Sequence, residues 1–487
     1  MDNLLSQQQG LILLISYGII MTLIVYFTNK KGHDSDDFLV MNRKLGKWRG
    51  TFSIAVSWIW APAIFIASQK SYEQGLPGIF WFTFPNILCF FTFAIIAVRA
   101  RKLLPFGYSI PDYIYKRFNN DKKSHLIYLV VFFGYQLGAI IINSLAGGTL
   151  LSLLTGLSFT LSVLLMAFVA LFYSLISGLR ASTLTDVIQM SMILFIGFII
   201  VPWILFKTGG LEILSIGSGG FTGNFKNIFD PNIAYSFGIA STLGLISGPI
   251  ADQMFFQRSF ALQQKNIVKV FVNGGLLFGI VPILLSLLGF IGAGEAIKSN
   301  LLVSDSQMIG PIIIGHYLPK WALMAFALMA FAGLSSTLDS AMCASSSLGS
   351  IDIYKKYFKK DPSSNQLIKI SRYTMIIMTI IGVTIALLRP QLLWVFLIYG
   401  ALASAGLFPT IFSLFWKKVT SKGVFWATLL SLVVGTPLSI YANVNGNVDY
   451  IVLSAILSVL IGFIICLIDG LTSKTDFEFK KVLNNNN

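Results

Sequence analysis

The chain has 487 residues, of which 55% are hydrophobic and only 11% are charged. A soluble domain carries about a quarter charged residues, so this composition excludes an ordinary soluble protein and indicates a polytopic membrane protein. The formal net charge of +15 would suit a nucleic-acid partner, but the positions of the basic residues in the chain argue against one.

Apolar runs of about 20 residues, the length at which a helix crosses a bilayer, recur along the whole chain. They predict thirteen spans, near residues 11–27, 52–72, 78–99, 125–153, 158–178, 183–206, 233–254, 268–293, 320–347, 368–388, 392–416, 423–442 and 449–469. The predicted fold class is therefore an all-α membrane protein. Residues 1–470 are expected to form a single transmembrane domain. A charged, Asn-ended cytoplasmic tail, 471–487, is predicted to be disordered.

The lysine and arginine residues test this span count and orient it. With the N-terminus outside and the C-terminus inside, 29 of the 35 fall in loops predicted to face the cytoplasm. This positive-inside pattern explains the basic charge, so no nucleic-acid partner is expected. The predicted location is the plasma (inner) membrane, crossed many times.

The second span, GTFSIAVSWIWAPAIFIASQK, contains Pro62 in its middle. Proline cannot donate a backbone hydrogen bond and disturbs the preceding turn, which frees carbonyls near Val56 and Ile59. Two interpretations stay open. One is a simple proline kink, and the other is a broken helix whose free carbonyls face a cavity.

The seventh span, YSFGIASTLGLISGPIADQMFFQR, has Gly248 and Pro249 in its inner half, followed by Asp252 and Arg258. A second interrupted helix, five spans after the first, is expected of a transporter built from inverted repeats. The alternative is an ordinary charge pair at the membrane interface, and this interpretation is favoured for Arg258.

The sixth span opens with ISGLRASTLTDVIQ and carries Asp186 about one turn inside. A carboxylate within the membrane is costly, which makes Asp186 a functional candidate. An N-terminal cap that also favours the helix dipole is an equal alternative.

The ninth span holds the stretch FAGLSSTLDSAMCASSSLGSIDIYKK. Read as a helix, it places small residues on one side at spacings of three and four, namely Gly333, Ser336, Thr337, Ser340, Ala344 and Ser347. Such a stripe serves close helix packing, or it forms a cation site with carbonyls from an unwound partner helix.

The motifs GLRASTLTDVIQ and LSSTLDSAMCASSSLGSIDIYKK together resemble the sodium:solute symporter family over residues 40 to about 420. WIWAPA, GLPGIFW and ADQMFFQR further resemble the fungal and plant urea transporters of that family. The resemblance implies the LeuT fold, with a core of about 51–417 that contains two inverted repeats of five helices. The extra helices would then be 11–27, 423–442 and 449–469.

The resemblance also implies a sodium site between the second and ninth spans. Its ligands would be the carbonyls of Val56, Ile59 and Gly333 and the hydroxyls of Ser336 and Thr337. Asp186 matches an acidic residue that the family has near the inner sodium path. Trp58 stands where some members have an acidic residue, so no role of that carboxylate transfers to this chain.

The predicted function is sodium-coupled symport of a small polar solute by alternating access, with sodium and the lipid bilayer as the other partners. An enzyme is not expected, because no carboxylate pair, Ser-His pair or metal cluster appears at membrane depth. The sequence shows no obvious arginine placed to bind a carboxylate group. This favours a neutral, urea-like solute over a carboxylate or amino acid such as pantothenate or proline. A transporter-like sensor or a channel is the alternative of another class. The residues expected to contact the solute are Ser57, Trp58, Trp60, Gln69, Trp81, Gln136 and Gln253.

Overall fold

The computed structural model describes residues 5–28, 34–299, 303 and 305–479. Its long helices are α1 (Gln7–Thr28), α2 (Lys47–Ser57), α3 (Pro62–Leu103), α4 (Lys122–Thr155), α5 (Phe159–Ser177), α6 (Leu179–Lys207), α7 (Pro231–Ala251), α8 (Gln253–Ala261), α9 (Gln264–Ser299), α10 (Lys320–Phe358), α11 (Ser364–Ala386), α12 (Leu392–Phe415), α13 (Ser421–Val444) and α14 (Val448–Thr472). Shorter helices, Ser35–Val40, Ile110–Arg117, Leu211–Gly217 and Ile309–Tyr317, lie in the connections. These ranges contain no β-strand, so the all-α prediction is confirmed.

Twelve segments of the described chain are long and apolar enough to cross a membrane. One of them, α3, has 42 residues. A straight helix of that length would measure about 63 Å, twice the thickness of a bilayer core. The backbone leaves helical torsions at Gly75, with φ 58° and ψ −143°, a region that favours glycine. The thirteen-span count divides α3 at this turn and stays a prediction.

The helix is broken between α2 and α3. Residues Trp58 to Trp60 are not helical, and a π-helical turn, Pro62–Ile66, opens α3. Asn143 of α4 reaches the break, where its Oδ1 accepts a hydrogen bond from Ala61 N at 2.9 Å. A side chain from another span thus satisfies a backbone group that the helix leaves free. The helix is therefore broken and not simply kinked, whereas the expectation that its carbonyls face a cavity stays a prediction.

A second break separates α7 from α8. Asp252 has extended torsions, φ −97° and ψ 113°, and its Oδ1 accepts a hydrogen bond from Met254 N at 2.7 Å. Pro249 remains inside α7, so the interruption comes three residues after it. The predicted second interrupted helix is therefore present, with its break at Asp252.

The helix α10 lies at the centre of the bundle. Every residue from Met329 to Asp352 is buried, and the helix packs against α1, α4, α5 and α6. Gly333 permits a close approach to the first break, because a Cβ added there would lie 3.1 Å from the Ile59 carbonyl oxygen. Small residues let membrane helices approach in this way. Here that approach brings α10 against the first break.

The connections that carry most of the basic residues contact one another on one face of the bundle. This face, which the contacts given next define, is called the basic face. Arg43 Nη2, for example, donates a hydrogen bond to the Phe106 carbonyl at 2.9 Å. The other contacts include Arg180 Nε to Asp37 Oδ2 at 2.9 Å, Lys356 Nζ to Asp112 Oδ1 at 2.7 Å, Leu45 N to Ala261 O at 3.0 Å and Arg117 Nη2 to Trp416 O at 2.8 Å.

The tail leaves α14 and runs back onto the basic face. Phe477 N donates to the Lys417 carbonyl at 3.2 Å, and the guanidinium of Arg117 lies 4.6 Å from the Phe477 ring centroid. Predicted disorder is therefore wrong for residues 473–479, because aromatic rings in a charged segment pack on guanidinium groups. The rest of the predicted tail, 480–487, lies outside the described residues.

Candidate functional site

The first break lies directly against the small-residue stripe of α10. Thr337 Oγ1 donates to the carbonyl of Ser57 at 3.3 Å and to that of Gly333 at 3.4 Å. The Ile59 carbonyl approaches Gly333, and Ile59 N donates to the Val56 carbonyl at 2.9 Å. The structure thus brings the Thr337 hydroxyl and the carbonyls of Gly333 and Ile59 close together, whereas the Ser336 hydroxyl faces Asp186. Their role as ligands stays a prediction.

The oxygens that meet at this point are neutral. Unwound backbone carbonyls and hydroxyls suit a small hard cation such as sodium. Within the part of the chain that the structure describes, no group of three or more His, Cys, Asp or Glu side chains is arranged to hold a metal ion. A cation at the break would therefore depend on these neutral oxygens, with any carboxylate acting from the next layer.

Ser336, which precedes Thr337 in α10, contacts that next layer. Its Oγ donates a hydrogen bond to Asp186 Oδ1 at 2.6 Å. A hydroxyl that donates its one proton keeps two lone pairs, so Ser336 can still offer its oxygen to a cation. Asp186 therefore adjoins the candidate sodium site through a single side chain.

Asp186 is fully buried where α2, α6, α8 and α10 meet. Ser53 Oγ donates to its Oδ2 at 2.5 Å, and Arg258 Nη2 donates to the same oxygen at 3.0 Å. Because α6 begins at Leu179, Asp186 lies well inside that helix and cannot cap it. The capping interpretation is wrong, whereas the proposed role on the ion path is untouched by this geometry.

Arg258 is also fully buried, so the interpretation as an interfacial charge is wrong. Its Nε donates to Ser53 Oγ at 2.8 Å and its Nη2 to Ser340 Oγ at 2.6 Å, in addition to the ion pair with Asp186. A buried charge requires a partner and hydrogen bonds, and here it has both. The sequence held a sign of this pair, because Arg258 follows an apolar run and the sixth span carries the carboxylate of Asp186.

Asp339 belongs to the same buried network and was not predicted to take part. Ser182 Oγ donates to its Oδ1 at 2.6 Å, and Tyr173 Oη donates to its Oδ2 at 2.7 Å. Asp339 follows Ser336 by three residues, which places both side chains on one side of α10. This spacing is the feature of the sequence that could have pointed to Asp339.

A small cavity of about 10 Å³ lies among aromatic side chains near the first break. That volume is about the least that one water molecule requires, so a solute can enter only if side chains move. No charged residue lines the cavity. The lining residues are Trp60, Tyr135, Ala240, Ser241, Gly244, Leu245, Phe396, Leu397, Tyr399 and Gly400.

The predicted solute residues divide into two groups. Trp60 lines the cavity, and the Trp58 and Trp60 rings lie 5.5 Å apart. Trp81 adjoins it, because the cavity residue Ser241 donates to the Trp81 carbonyl at 3.4 Å. Gln136 is buried beside Asp252, to which its Nε2 donates at 3.0 Å. Trp58, Trp60 and Trp81 therefore lie in or next to the cavity, whereas Gln136 lies beside the second break.

The other three predicted solute residues do not line the cavity. Ser57 Oγ donates within its own helix, and its carbonyl belongs to the sodium region. Gln69 Nε2 donates to Glu73 Oε1 at 2.9 Å, whereas Gln253 Nε2 donates to Ser347 Oγ at 2.9 Å. The polarity of these three residues marked them as candidates, but none lies at the cavity. The Oε1 atoms of Gln69 and Gln253 have no hydrogen-bond partner among the described residues.

Comparison with known proteins agrees with this architecture. The model of the sodium:solute symporter family matches residues 38–431. The osmoregulated proline transporter OpuE of Bacillus subtilis is 25% identical over 96% of this chain and 96% of its own. A probable urea active transporter 3 of Schizosaccharomyces pombe is 23% identical over 90% of this chain and 70% of its own.

A solved sodium-coupled sialic acid symporter, substrate-bound in its outward-open state, superposes with a TM-score of 0.74 at 19% identity. The match covers 96% of this chain and 99% of that one, and it shows a shared, LeuT-like fold. Together with the family match over most of the sequence, these findings lead to one conclusion. The chain belongs to the sodium:solute symporter family, whose members are transporters and not enzymes.

Proposed function

We propose that this chain couples sodium entry to the uptake of a small, neutral, polar solute, with urea favoured, across the plasma (inner) membrane. The observation that carries the proposal is the contact of Thr337 and Gly333 with the broken helix at Ser57 and Ile59. Neutral oxygens at an interrupted helix are the arrangement through which transporters of this architecture bind sodium.

Sodium acts in this proposal by joining two elements. The carbonyls of the break and the hydroxyls of α10 coordinate it only when the two are adjacent, so the ion stabilises that arrangement over others. The proposed ligands are Val56, Ile59, Gly333, Ser336 and Thr337. Coupling follows from this difference in sodium affinity between states. Two five-helix inverted repeats, rocking about the site, would supply the states.

The membrane potential sets the driving force for this coupling. One monovalent ion moving inward at 100 mV supplies ~2.3 kcal/mol. That free energy corresponds to about 50-fold accumulation of a neutral solute per sodium ion, before any sodium concentration gradient.

Asp186 is proposed to lie on the inner sodium path. It contacts the sodium region through Ser336 and is paired with Arg258 on its other oxygen. The guanidinium offsets much of the carboxylate charge, so Asp186 can attract an ion leaving the break without holding it tightly.

The neutral solute is supported by the cavity. Its lining is aromatic and uncharged, and the buried Arg258 is engaged by Asp186 rather than free to clamp a carboxylate. A similarity to a urea transporter of fission yeast adds weight. The similarity to a bacterial proline transporter keeps an amino acid as the second candidate.

Uptake by purified protein in proteoliposomes tests the proposal. An inward sodium gradient should drive accumulation of labelled urea, and more of it than of labelled proline or pantothenate. A matched proton gradient without sodium is the control and should drive little. Accumulation of proline or pantothenate but not urea would overturn the solute assignment, and equal uptake on protons alone would overturn sodium coupling.

A further inference from the structure

Several buried acceptor atoms are unpaired beside the second break, and those of Asp252 and Gln136 belong to two side chains that contact each other. Asp252 and Gln136 are both 0% exposed. Asp252 Oδ1 accepts from Met254 N at 2.7 Å and from Gln136 Nε2 at 3.0 Å. Asp252 Oδ2 and Gln136 Oε1 have no hydrogen-bond partner among the residues that the structure describes.

Helix capping explains only one oxygen of the Asp252 carboxylate. The cap on α8 uses Oδ1, and an asparagine would serve as well there. A buried acceptor left unpaired destabilises a fold by roughly 1–3 kcal/mol, so a second oxygen kept free calls for another explanation. The nearest buried guanidinium does not supply it, because Arg258 donates to Asp186, Ser53 and Ser340.

Asp252 and Gln136 are connected to the aromatic cavity through neighbouring residues. Tyr135, which precedes Gln136, lines that cavity. Gly248 lies one turn before Asp252, and a Cβ added to it would lie 2.6 Å from Tyr135 Oη and 3.1 Å from the Trp58 ring. Trp58 also packs on Phe255 of α8 with ring centroids 4.8 Å apart. A solute moving inward from the cavity past these rings would reach Asp252 and Gln136.

We propose that Asp252 and Gln136 form a subsite for N–H donors of the transported solute. Both free atoms are acceptors, one of them on a carboxylate, so they suit an amide, a urea or a protonated amine and disfavour an anion. The proposal rests on the proposed transport function and adds to it a chemical class, solutes that carry N–H groups.

The substitution Asp252→Asn isolates the free oxygen. Asparagine keeps Oδ1 as a cap for α8 and as an acceptor for Gln136. Its NH₂ group replaces Oδ2, so the N–H group of the solute would meet a hydrogen-bond donor instead of an acceptor. Asp230→Asn is the matched control, since Asp230 caps the start of α7 through Oδ1 and is partly exposed. Gln136→Met is a second variant, which removes the free amide oxygen by another route.

Binding of labelled urea to the purified full chain is the measurement, with sodium fixed and tetramethylurea, which has no N–H group, as competitor. We expect Asp252→Asn to weaken urea binding roughly 10- to 150-fold, the value of one hydrogen bond to a charged group. Gln136→Met should weaken it less, and Asp230→Asn should leave it unchanged. Tetramethylurea should not displace urea, and the sodium-induced shift in melting temperature should persist in all variants.

Unchanged urea affinity in Asp252→Asn and Gln136→Met would overturn the subsite and leave Asp252 as a cap. If Asp252→Asn removes a pH dependence of uptake while its urea affinity stays unchanged, the subsite is overturned and Asp252 is a proton site instead. If the wild type does not bind urea, the urea preference fails, and the same variants are measured with proline, whose amine carries N–H groups. A wild type that transports only solutes without N–H groups would overturn the subsite while the transport function stands.

Discussion

Adjacent hydroxyls on α10 have different partners and therefore different functions. Thr337 Oγ1 contacts the carbonyls of Ser57 and Gly333 at 3.3 and 3.4 Å, whereas Ser336 Oγ donates to Asp186 at 2.6 Å. Successive helical residues point about 100° apart, so one hydroxyl faces the break and the other faces α6. Thr337 thus tests the candidate sodium site alone, while Ser336 also tests its link to Asp186.

Substitution Thr337→Ala should raise the sodium concentration for half-maximal uptake roughly 10- to 150-fold, because one oxygen ligand of a cation is lost. Ser336→Ala should have at least that effect, since it also removes a donor from the buried Asp186. Sodium titration of solute uptake in proteoliposomes, at matched protein content, measures both.

Ser345→Ala is the control for these variants, because Ser345 Oγ donates to Ala341 O within its own helix at 2.8 Å. It should leave sodium activation unchanged. A normal sodium response in both Thr337→Ala and Ser336→Ala would mean that the stripe serves packing only.

At the scale of elements, glycines decide how closely the broken helices approach their neighbours. A Cβ at Gly248 in α7 would lie 2.6 Å from Tyr135 Oη and 3.1 Å from the Trp58 ring, both of which are rigid aromatic groups. A Cβ at Gly406 in α12 would meet Val131 and Ala251 only at 3.5 and 3.8 Å, ordinary contact distances. The two positions therefore form a matched pair.

Gly248→Ala should displace the aromatic rings and weaken solute binding, while sodium still binds at α10. Overpacking typically costs about 1–3 kcal/mol, which corresponds to roughly 5- to 150-fold in affinity. Gly406→Ala should bind solute as the wild type does. The measurement is solute affinity together with sodium-induced thermal stabilisation. Equal solute affinity in both variants would show that the rings are not part of the solute route.

Local chemistry explains which elements the sequence could predict. Pro62 and the Gly248–Pro249 pair marked both interrupted helices, because proline and glycine disturb a helix wherever it packs. The breaks themselves fall at Trp58 to Trp60 and at Asp252. Their positions depend on partners such as Asn143, which caps Ala61 N from another span. Such contacts between distant segments are not encoded in a periodic pattern.

The buried polar contacts show the same limit. Asp186 and Arg258 were each visible as charges in apolar surroundings, yet 72 residues separate them in the chain. His125, which had no predicted role, is fully buried and contacts Asp352 at 3.2 Å, 227 residues away. Composition reveals that a buried charge needs a partner, whereas only the packed helices decide which one it is.

At the scale of the whole molecule, ion pairs hold the basic face together. Lys356 Nζ contacts both Asp112 and Asp352, at 2.7 and 3.1 Å, which joins the Ile110–Arg117 helix to the end of α10. Burial alone would raise the pKa of the Asp112 carboxyl, but Lys356 and Lys116 lower it to about 2. Because that pKa lies below its ordinary value of 3.8, the stabilisation is present above about pH 4 and is lost only as the pH falls toward 2.

The basic face also carries the prediction of membrane orientation. Its segments, from residues 34–49 to the tail, contact one another, and they contain most of the 35 basic residues of the chain. The Gly75 turn lies within the N-terminal half of α3, far from Leu103, and Leu76 N donates a hydrogen bond to Ser218 O, in the connection after α6, at 2.9 Å. By the positive-inside rule the basic face should be cytoplasmic, with the N-terminus outside.

Reporter fusions at residues 119, 360 and 480 should therefore all report the cytoplasm, and fusions at residues 226 and 446 should report the outside. The first three lie in or beside segments of the basic face, and the other two are separated from it by an odd number of predicted spans.

Thirteen spans place the termini on opposite sides of the membrane, whereas twelve would place them on the same side. Fusions at both ends of the chain hence decide whether α3 crosses once or turns back at Gly75. A cytoplasmic signal at residue 226, or an outside signal at residue 360, would contradict the predicted orientation.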